Sequence, residues 1–273
     1  MNLRGVTSLA ALSILAFSLV LRRDSPACTL YAAIGSAVEG GGVLVGKTRD
    51  LMKQEEQFLL KETSSSGYSY LGIASRKNSR LTAGINEQGL IIVNASAASI
   101  KDRLRKHLRI ESVLGRAASG EEALKIFREE GMRSPIHYLL ADQKNLVLLE
   151  VYNPERLEMR NISEGVLVHT NHYLLPSMAD LNGKIDRSSS IRLDRIQSLM
   201  KDPPFKILQF ISFARDHLNG PGHLAICRHR LPGSKSGGIT VSAIVFRLQE
   251  GKPPEIWFRL GQPCEGPFQK ISF

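Results

Sequence analysis

The sequence predicts an α+β fold in which two mostly antiparallel sheets lie face to face with helices on their outer sides. Three observations carry this expectation. Strand-like segments gather towards both ends of the chain, with helix-like segments between them. Neighbouring strand-like segments are joined by short turns of the kind that close hairpins. The regular strand–helix alternation needed for a doubly wound parallel sheet is absent.

The elements follow in order. Cys28 to Val38 is small, β-branched and apolar, and reads as a strand; Glu39-Gly-Gly-Gly42 turns it into a partner at Val43 to Arg49. A second hairpin runs over Leu81 to Ile85 and Leu90 to Ala95, around Asn86-Glu-Gln-Gly89. Ser119 is placed as a helix N-cap, with Glu121 and Glu122 in the first turn and Gly131 as the stop. Tyr138 to Ala141 and Leu146 to Tyr152 form a third hairpin, and Val166 to Thr170 is a further strand. Helices are expected over Ser188 to Met200 and Ile207 to Leu218, and closing strands over Ile239 to Leu248 and Ile256 to Leu260. Met52 to Tyr70 and Leu174 to Ile185 are left as substrate-contacting loops.

Composition narrows the function classes. With 42% hydrophobic and 23% charged residues over 273 positions, the chain is too apolar for disorder, and its three cysteines are too few for a disulfide scaffold. The net charge is +10, and Lys101, Arg103, Arg105, Lys106 and Arg109 form a basic run around His107. No aromatics interleave with that run, so it reads as a solvated surface and no nucleic-acid partner is expected. A basic surface that binds anionic lipid or polynucleotide is the competing class.

The amino terminus reads as a targeting segment. Arg4 precedes seventeen uncharged residues, Gly5 to Leu21, and Ser25 and Ala27 place small side chains at the positions before a signal-peptidase cut. Arg22 and Arg23 on the far side of the run fit an uncleaved anchor better than a signal. Residues 1–27 are therefore a signal peptide or membrane anchor, with possible anchoring through residues 5–21, and residues 28–273 the catalytic domain. A secreted or extracytoplasmic location follows.

A cut after Ala27 would make Cys28 the first residue. Its α-amine, with an ordinary pKa near 7.7–8.0, would then lie within reach of its own thiol, near 8.5. Such an amine can take the thiol proton as sulfur attacks a carbonyl, so that nucleophile and base are one residue. A small buried strand residue is the bland alternative.

At this point the chain resembles a known family. Cys28-Thr29 opening a hairpin, followed by Gly46-Lys-Thr-Arg-Asp50, is similar to the start of the N-terminal nucleophile (Ntn) hydrolases of the choloylglycine hydrolase superfamily. Gly84-Ile-Asn-Glu-Gln-Gly-Leu90 with Asn94 beyond it, His169-Thr-Asn-His172, and Ser188-Ser-Ser-Ile-Arg-Leu-Asp-Arg195 resemble further segments in the same order. Ile226-Cys-Arg-His229 and Gly261-Gln-Pro-Cys264 resemble the tail of the isopenicillin N acyltransferase-like branch. The resemblance spans Cys28 to Cys264. It implies a four-layer αββα sandwich and cleavage of linear, non-peptide amide C–N bonds through a thioester acyl-enzyme, with acyl transfer in some relatives and no cofactor.

By position, the resemblance makes Cys28 nucleophile and base, with Asp50 holding its amine. Lys47 stands at the family's site arginine, Asn94 at the oxyanion donor, Asn171 beside the carbonyl, and Arg192 as a supporting charge. The implied substrate is a small N-acyl amide: a bile-salt conjugate, N-acyl amino acid, penicillin-like amide or acyl-homoserine lactone. The chain departs from the pattern where Lys47 replaces a planar guanidinium and Thr48 an asparagine. Lys and Arg are not interchangeable at a bidentate site, and Arg49 points to the same strand face as Lys47. Those departures keep a catalytically degenerate binding protein as the alternative. Exposure of Cys28 by signal peptidase or by self-cleavage is left open. His172 is expected to be structural, because a terminal amine makes a histidine base unnecessary. His223, Cys227, His229 and Cys264 match no common zinc spacing, so no metal is expected, and a Cys227–Cys264 disulfide is the favoured alternative.

Overall fold

A computed structural model describes residues 27–97, 108–130, 134–233 and 237–273. Residues 1–26, where the targeting segment was expected, and most of the basic run lie outside the described residues. Among the described residues, no helix is long and apolar enough to cross a membrane.

Two antiparallel sheets form the centre. The first has six strands in the order β10-β1-β2-β11-β12-β13. These are β1 (Ala27–Ile34), β2 (Val43–Leu51), β10 (Gly165–His169), β11 (Ile239–Leu248), β12 (Glu255–Leu260) and β13 (Gln269–Ile271). The second is a seven-stranded meander, β3 to β9 in sequence order. Its strands are β3 (Gln57–Glu62), β4 (Tyr70–Ser75), β5 (Leu81–Asn86), β6 (Ile91–Ser96), β7 (Ile136–Ala141), β8 (Leu146–Asn153) and β9 (Arg156–Ile162).

Side-chain alternation builds the layers. Cys28, Leu30, Ala32 and Ile34 of β1 face Ile73, Ile85, Val93 and Leu139 of the other sheet in one inner core. The alternate residues, Tyr31 and Ala33, face outward onto α3 (Arg187–Leu199) and α4 (Ile207–Ala214), where Ile196, Phe210 and Phe213 cover them. On the far side, Ile92, Tyr138 and Leu149 are covered by α1 (Ile110–Leu114) and α2 (Gly120–Glu130) through Leu114 and Phe127. The result is the expected αββα order. With a core on both faces, β1 is buried along its whole length. This is why its sequence is a continuous apolar run rather than an alternating one.

Local chemistry sets the boundaries. The glycines at 40, 41 and 42 take φ of 74°, 75° and 92°, and close the β1–β2 connection. Ser119 caps α2 as expected, its Oγ accepting from the Glu122 amide at 3.2 Å, while the Glu122 carboxylate accepts from the Ala118 amide at 2.8 Å. Asn86 donates to the carbonyls of Leu114 (2.8 Å) and Ala117 (2.7 Å), so the β5–β6 turn also satisfies the end of α1.

The structure corrects several boundaries. β1 stops at Ile34 rather than 38, giving way to a 3-10 turn over Gly35–Ala37. The fourth helix ends at Ala214 rather than 218. There Asp216 is drawn off to pair with Arg195 at 2.5 Å, and it also accepts from the Leu218 amide. Strands β3, β4, β9 and β13 and helix α1 were not expected, and the expected loop over Met52 to Tyr70 is interrupted by β3 and reaches the first residue of β4. β3 and β9 are partly exposed edge strands carrying charges, so neither shows the apolar run of a central strand. The expected loop over Leu174 to Ile185 holds a 3-10 turn, Pro176–Asn182.

Gly46 is where β2 passes beneath Tyr31. A Cβ there would lie 2.2 Å from the Tyr31 ring, and that ring cannot retreat, because Phe210 and Phe213 pack on it at 5.1 Å and 6.1 Å. Gly46→Ala is therefore expected to lower stability by about 1–3 kcal/mol, the usual cost of overpacking. Urea denaturation measures it, and an unchanged midpoint would contradict the packing described.

Candidate active site

The site forms where β10 leaves β1. Their ladder ends at Leu30↔His169. Beyond that pair the chain is pulled towards α3: the Asn171 amide donates to Ser189 Oγ at 3.0 Å, and Thr170 Oγ1 donates to the Ser189 carbonyl at 3.1 Å. Ser189 is positioned in turn by the α3 N-cap, Asp186, whose carboxylate accepts from the Ser189 amide at 3.1 Å. A side chain thus replaces the missing ladder bond. The Cys28 amide donates to Asn171 Oδ1 at 3.2 Å.

Arg192 closes the arrangement from α3. One guanidinium nitrogen donates to the Cys28 carbonyl at 2.6 Å and to Thr29 Oγ1 at 2.9 Å, the other to Asn171 Oδ1 at 2.8 Å. Asn171 Nδ2 donates to the Ser96 carbonyl at 2.8 Å, which joins the two sheets. Cys28 is thereby held through both of its backbone polar groups, and every polar group of Asn171 is engaged. Burial lowers the Arg192 pKa to about 10, with Asp50 and the Cys28 sulfur acting the other way and Arg228 adding to the fall; the group stays charged at neutral pH.

Lys47 lies on the inner face of β2. The β5–β6 ladder ends at Ala83↔Val93, and the strands part beyond it. Lys47 Nζ enters that gap from the facing sheet, donating to the Thr82 carbonyl at 2.6 Å and to Asn94 Oδ1 at 3.2 Å. Burial brings its pKa down to about 8; the Cys28 sulfur and Asp50 pull it up, and Arg49 pushes it further down. Arg49, opposite Cys28 in the β1–β2 ladder, donates to Gln57 Oε1 at 2.7 Å and approaches Glu55 at 3.8 Å. Burial lowers its pKa also, against the pull of Cys28 and Glu55.

Asp50 is fully buried opposite Ala27 in the same ladder. Its Oδ1 accepts from Thr240 Oγ1 at 2.7 Å, and Oδ2 lies 3.6 Å from an Arg228 guanidinium nitrogen without forming a hydrogen bond. Asp50 Oδ2 and two nitrogens of Arg228, Nε and Nη1, therefore have no hydrogen-bond partner among the described residues. Burial raises the Asp50 pKa, opposed by Arg228 and Arg192.

All six residues expected from the sequence thus lie at one locality: Cys28, Asn171 and Arg192 share hydrogen bonds, Lys47 bonds Asn94, and Asp50 acts on Lys47 and Arg192 through its charge. Sequence reasoning missed the groups that hold them. His137 Nε2 contacts the Asn171 carbonyl at 3.2 Å, and the His169 ring sits between the Thr170 carbonyl (3.0 Å) and Glu150 Oε1 (2.7 Å). Glu150 also accepts from the amides of Leu174 (2.6 Å) and Leu175 (3.2 Å). His137, Glu150 and His169 could gather round a metal by distance. The Glu150 oxygens and the His169 ring are already engaged in hydrogen bonds, so these residues read as a support beneath Asn171. Arg228 and Thr240 were missed as well, and neither sits in a pattern that marks it as facing a carboxylate. His172 is structural as expected, with Nδ1 on Ser189 Oγ at 2.8 Å. Cys227 and Cys264 are free, their sulfurs 3.6 Å apart, so the expected disulfide is not formed. A groove of about 540 Å³ beside Glu121, Lys125 and Arg128 lies on the outer side of the seven-stranded sheet and contains none of the site residues.

The model of the acyl-coenzyme A:6-aminopenicillanic acid acyl-transferase family matches residues 38–265. The chain belongs to that family, and so to the Ntn hydrolases of the choloylglycine hydrolase superfamily, a group of amidohydrolases and acyltransferases. The matched span begins after Cys28. No curated protein matches the chain. Among solved structures, penicillin V acylase from Agrobacterium tumefaciens is similar at 18% identity and a TM-score of 0.59, over 90% of this chain and 86% of that one. An ortholog of N-acylethanolamine-hydrolyzing acid amidase from Caenorhabditis elegans is similar at 14% identity and a TM-score of 0.57, over 80% and 92%. A mutant conjugated bile acid hydrolase from Clostridium perfringens is similar at 12% identity and a TM-score of 0.53, over 90% and 97%. At these identities the structures establish the shared fold.

The buried histidines make stability depend on pH. Burial, with nearby His169 and Arg192, lowers the His172 pKa from 6.5 to about 4, and burial lowers that of His137 well below 6.5. Between the ordinary and lowered values the unfolded chain takes up protons that the folded chain refuses. Stability is therefore present above about pH 6.5 and falls as pH drops towards 4. Urea midpoints at pH 7 and pH 5 should differ less in His172→Asn than in the wild type; equal differences would contradict the neutral, buried ring.

Proposed function

We propose that residues 1–27 are removed outside the cytoplasm and that Cys28, then the first residue, is both nucleophile and base in the cleavage of a linear amide of an N-acyl small molecule. The observation that carries this reading is the convergence on Cys28. Its nitrogen rests on Asn171, its carbonyl on Arg192, and its sulfur interacts electrostatically with two buried cations, Lys47 and Arg192, and with the partly buried Arg49.

With Ala27 gone, the Cys28 nitrogen becomes an α-amine that keeps Asn171 Oδ1 as a partner. Asp50 lies opposite the vacated position, and its unpaired Oδ2 is the acceptor that steadies the ammonium. The amine takes the thiol proton as sulfur attacks the substrate carbonyl. Negative charge then develops on the carbonyl oxygen. The Asn94 amide nitrogen, whose partner Oδ1 is occupied by Lys47, donates to it, and the Lys47 ammonium has a third N–H to give. Collapse breaks the C–N bond, the leaving amine departs with the proton from the α-ammonium, and the acyl group remains on sulfur as a thioester. Water, or a second amine in the transfer reaction, attacks the thioester and restores the thiol.

Lys47 fills the role that the family gives to arginine. Its single point charge reaches Asn94, whereas Arg49 is held back by Gln57 and Glu55.

A panel of N-acyl amides, screened with protein from a secreting host, tests the reading. Cys28→Ala should abolish turnover while the folded spectrum is retained; turnover by that variant would refute the nucleophile assignment. Lys47→Met is expected to lower kcat/KM by roughly 10²-fold, the usual cost of losing an oxyanion-stabilising group, and Arg49→Met by much less. The reverse order would move the role to Arg49.

A further inference from the structure

On the outer side of the same segment that carries Arg228, four potential metal ligands come together. His217 and the pair Cys227 and His229 lie in the α4–β11 connection, and Cys264 in the 3-10 turn between β12 and β13. His229 Nε2 is 2.9 Å from His217 Nε2, 3.6 Å from Cys227 Sγ and 3.3 Å from Cys264 Sγ. The two sulfurs are 3.6 Å apart, and all four atoms lie within 4.8 Å of one another.

These separations approximate four of the six edges of a coordination tetrahedron, with the two nitrogens closer together than a bound ion would hold them. Zn–S bonds of about 2.3 Å and Zn–N bonds of about 2.0–2.1 Å require edges of about 3.8 Å between sulfurs, 3.5 Å between sulfur and nitrogen, and 3.3 Å between nitrogens. A disulfide would need the sulfurs at about 2.05 Å. We propose that His217, Cys227, His229 and Cys264 bind one structural zinc ion as a closed Cys2His2 site. Two thiolates and two neutral imidazoles neutralise a divalent cation, and the soft sulfur set favours zinc over magnesium or calcium. Four protein ligands leave no open position, so the ion is structural rather than catalytic.

The sequence spacing concealed this site. The reading that used His223 had the wrong histidine: the His223 carbonyl accepts from Ser188 Oγ at 2.6 Å, and His217 supplies the fourth ligand.

The ion would also act on the site across the strand. Cys227 and His229 flank Arg228, which faces Asp50, and the Arg228 backbone pairs with Thr240 on both sides, amide to Oγ1 at 2.8 Å and carbonyl to the Thr240 amide at 3.0 Å. Zinc would clamp this segment to the β12–β13 connection and so fix the Asp50–Arg228–Thr240 group. The zinc assignment does not depend on the amidase reading.

The test uses the full chain, purified without chelator, given zinc and then desalted. Plasma mass spectrometry should find stoichiometric zinc in the wild type. Cys264→Ser, at an exposed position that tolerates the change, and His217→Ala should each retain roughly a tenth or less, as expected for loss of one of four ligands. Cobalt in place of zinc should give the visible absorption of a tetrahedral thiolate site in the wild type, and the wild-type Tm should fall on chelation while that of Cys264→Ser stays put. Zinc content equal in wild type and variants would overturn the proposal, and so would an intact mass showing Cys227 and Cys264 joined by a disulfide in unreduced protein.

Discussion

A guanidinium cannot be buried between two layers of a small protein without satisfying its donors, since an unpaired buried ion costs several kcal/mol. Arg192 meets that demand by donating to the Cys28 carbonyl, the Thr29 hydroxyl, Asn171 and Ser188. Two of those partners, Asn171 and Ser188, are also engaged elsewhere. Asn171 has to leave the β10 ladder to present its carboxamide, which requires Ser189 at the start of α3, and its carbonyl then requires His137. The start of β1, the end of β10, the first turns of α3 and the ends of the central strands β6 and β7 of the facing sheet are thereby tied to a single polar network. Removing any member leaves another buried group unpaired, so the network should resist change as a unit.

The same constraint sets the electrostatics. Arg192 and Arg228 act on one deeply buried carboxylate, Asp50, while Lys47 and Arg49 lie on the other face of β2, beside the Cys28 sulfur. The site therefore has a surplus of positive charge in a region of low polarity, where it acts strongly on any anion formed at Cys28. The Asp50–Arg228 contact is loose, and leaves a carboxylate oxygen and two guanidinium nitrogens without hydrogen-bond partners among the described residues. It lies beside Ala27, the residue whose removal would introduce a new cation. In this reading the precursor and the cut chain share one scaffold and differ in whether Asp50 Oδ2 has a partner.

Much of this was legible in the sequence. The central strands were readable because burial on both faces demands continuous apolar runs such as that of β1. That the six candidate residues come together was readable because their motifs fall in one register, and an asparagine such as Asn171 or a lysine such as Lys47 is conspicuous among apolar neighbours. The edge strands β3 and β9 were not, since an edge strand needs charges and solubility more than apolar periodicity. His137, Glu150 and Thr240 also escaped notice, as each is a polar residue within an apolar strand whose partner lies on a distant element. The Cys2His2 cluster was hidden for the same reason. Its ligands come from two connections 35 residues apart at Cys264 and His229, so no local spacing announces them.

The account turns on whether Cys28 begins the working chain. The direct measurement is the amino-terminal sequence and intact mass of protein from a secreting host, before and after reaction with an activated acyl ester. The account predicts a chain beginning at Cys28 that gains one acyl group on that residue. An active, stable protein that retains Ala27 and carries the acyl group elsewhere would contradict it.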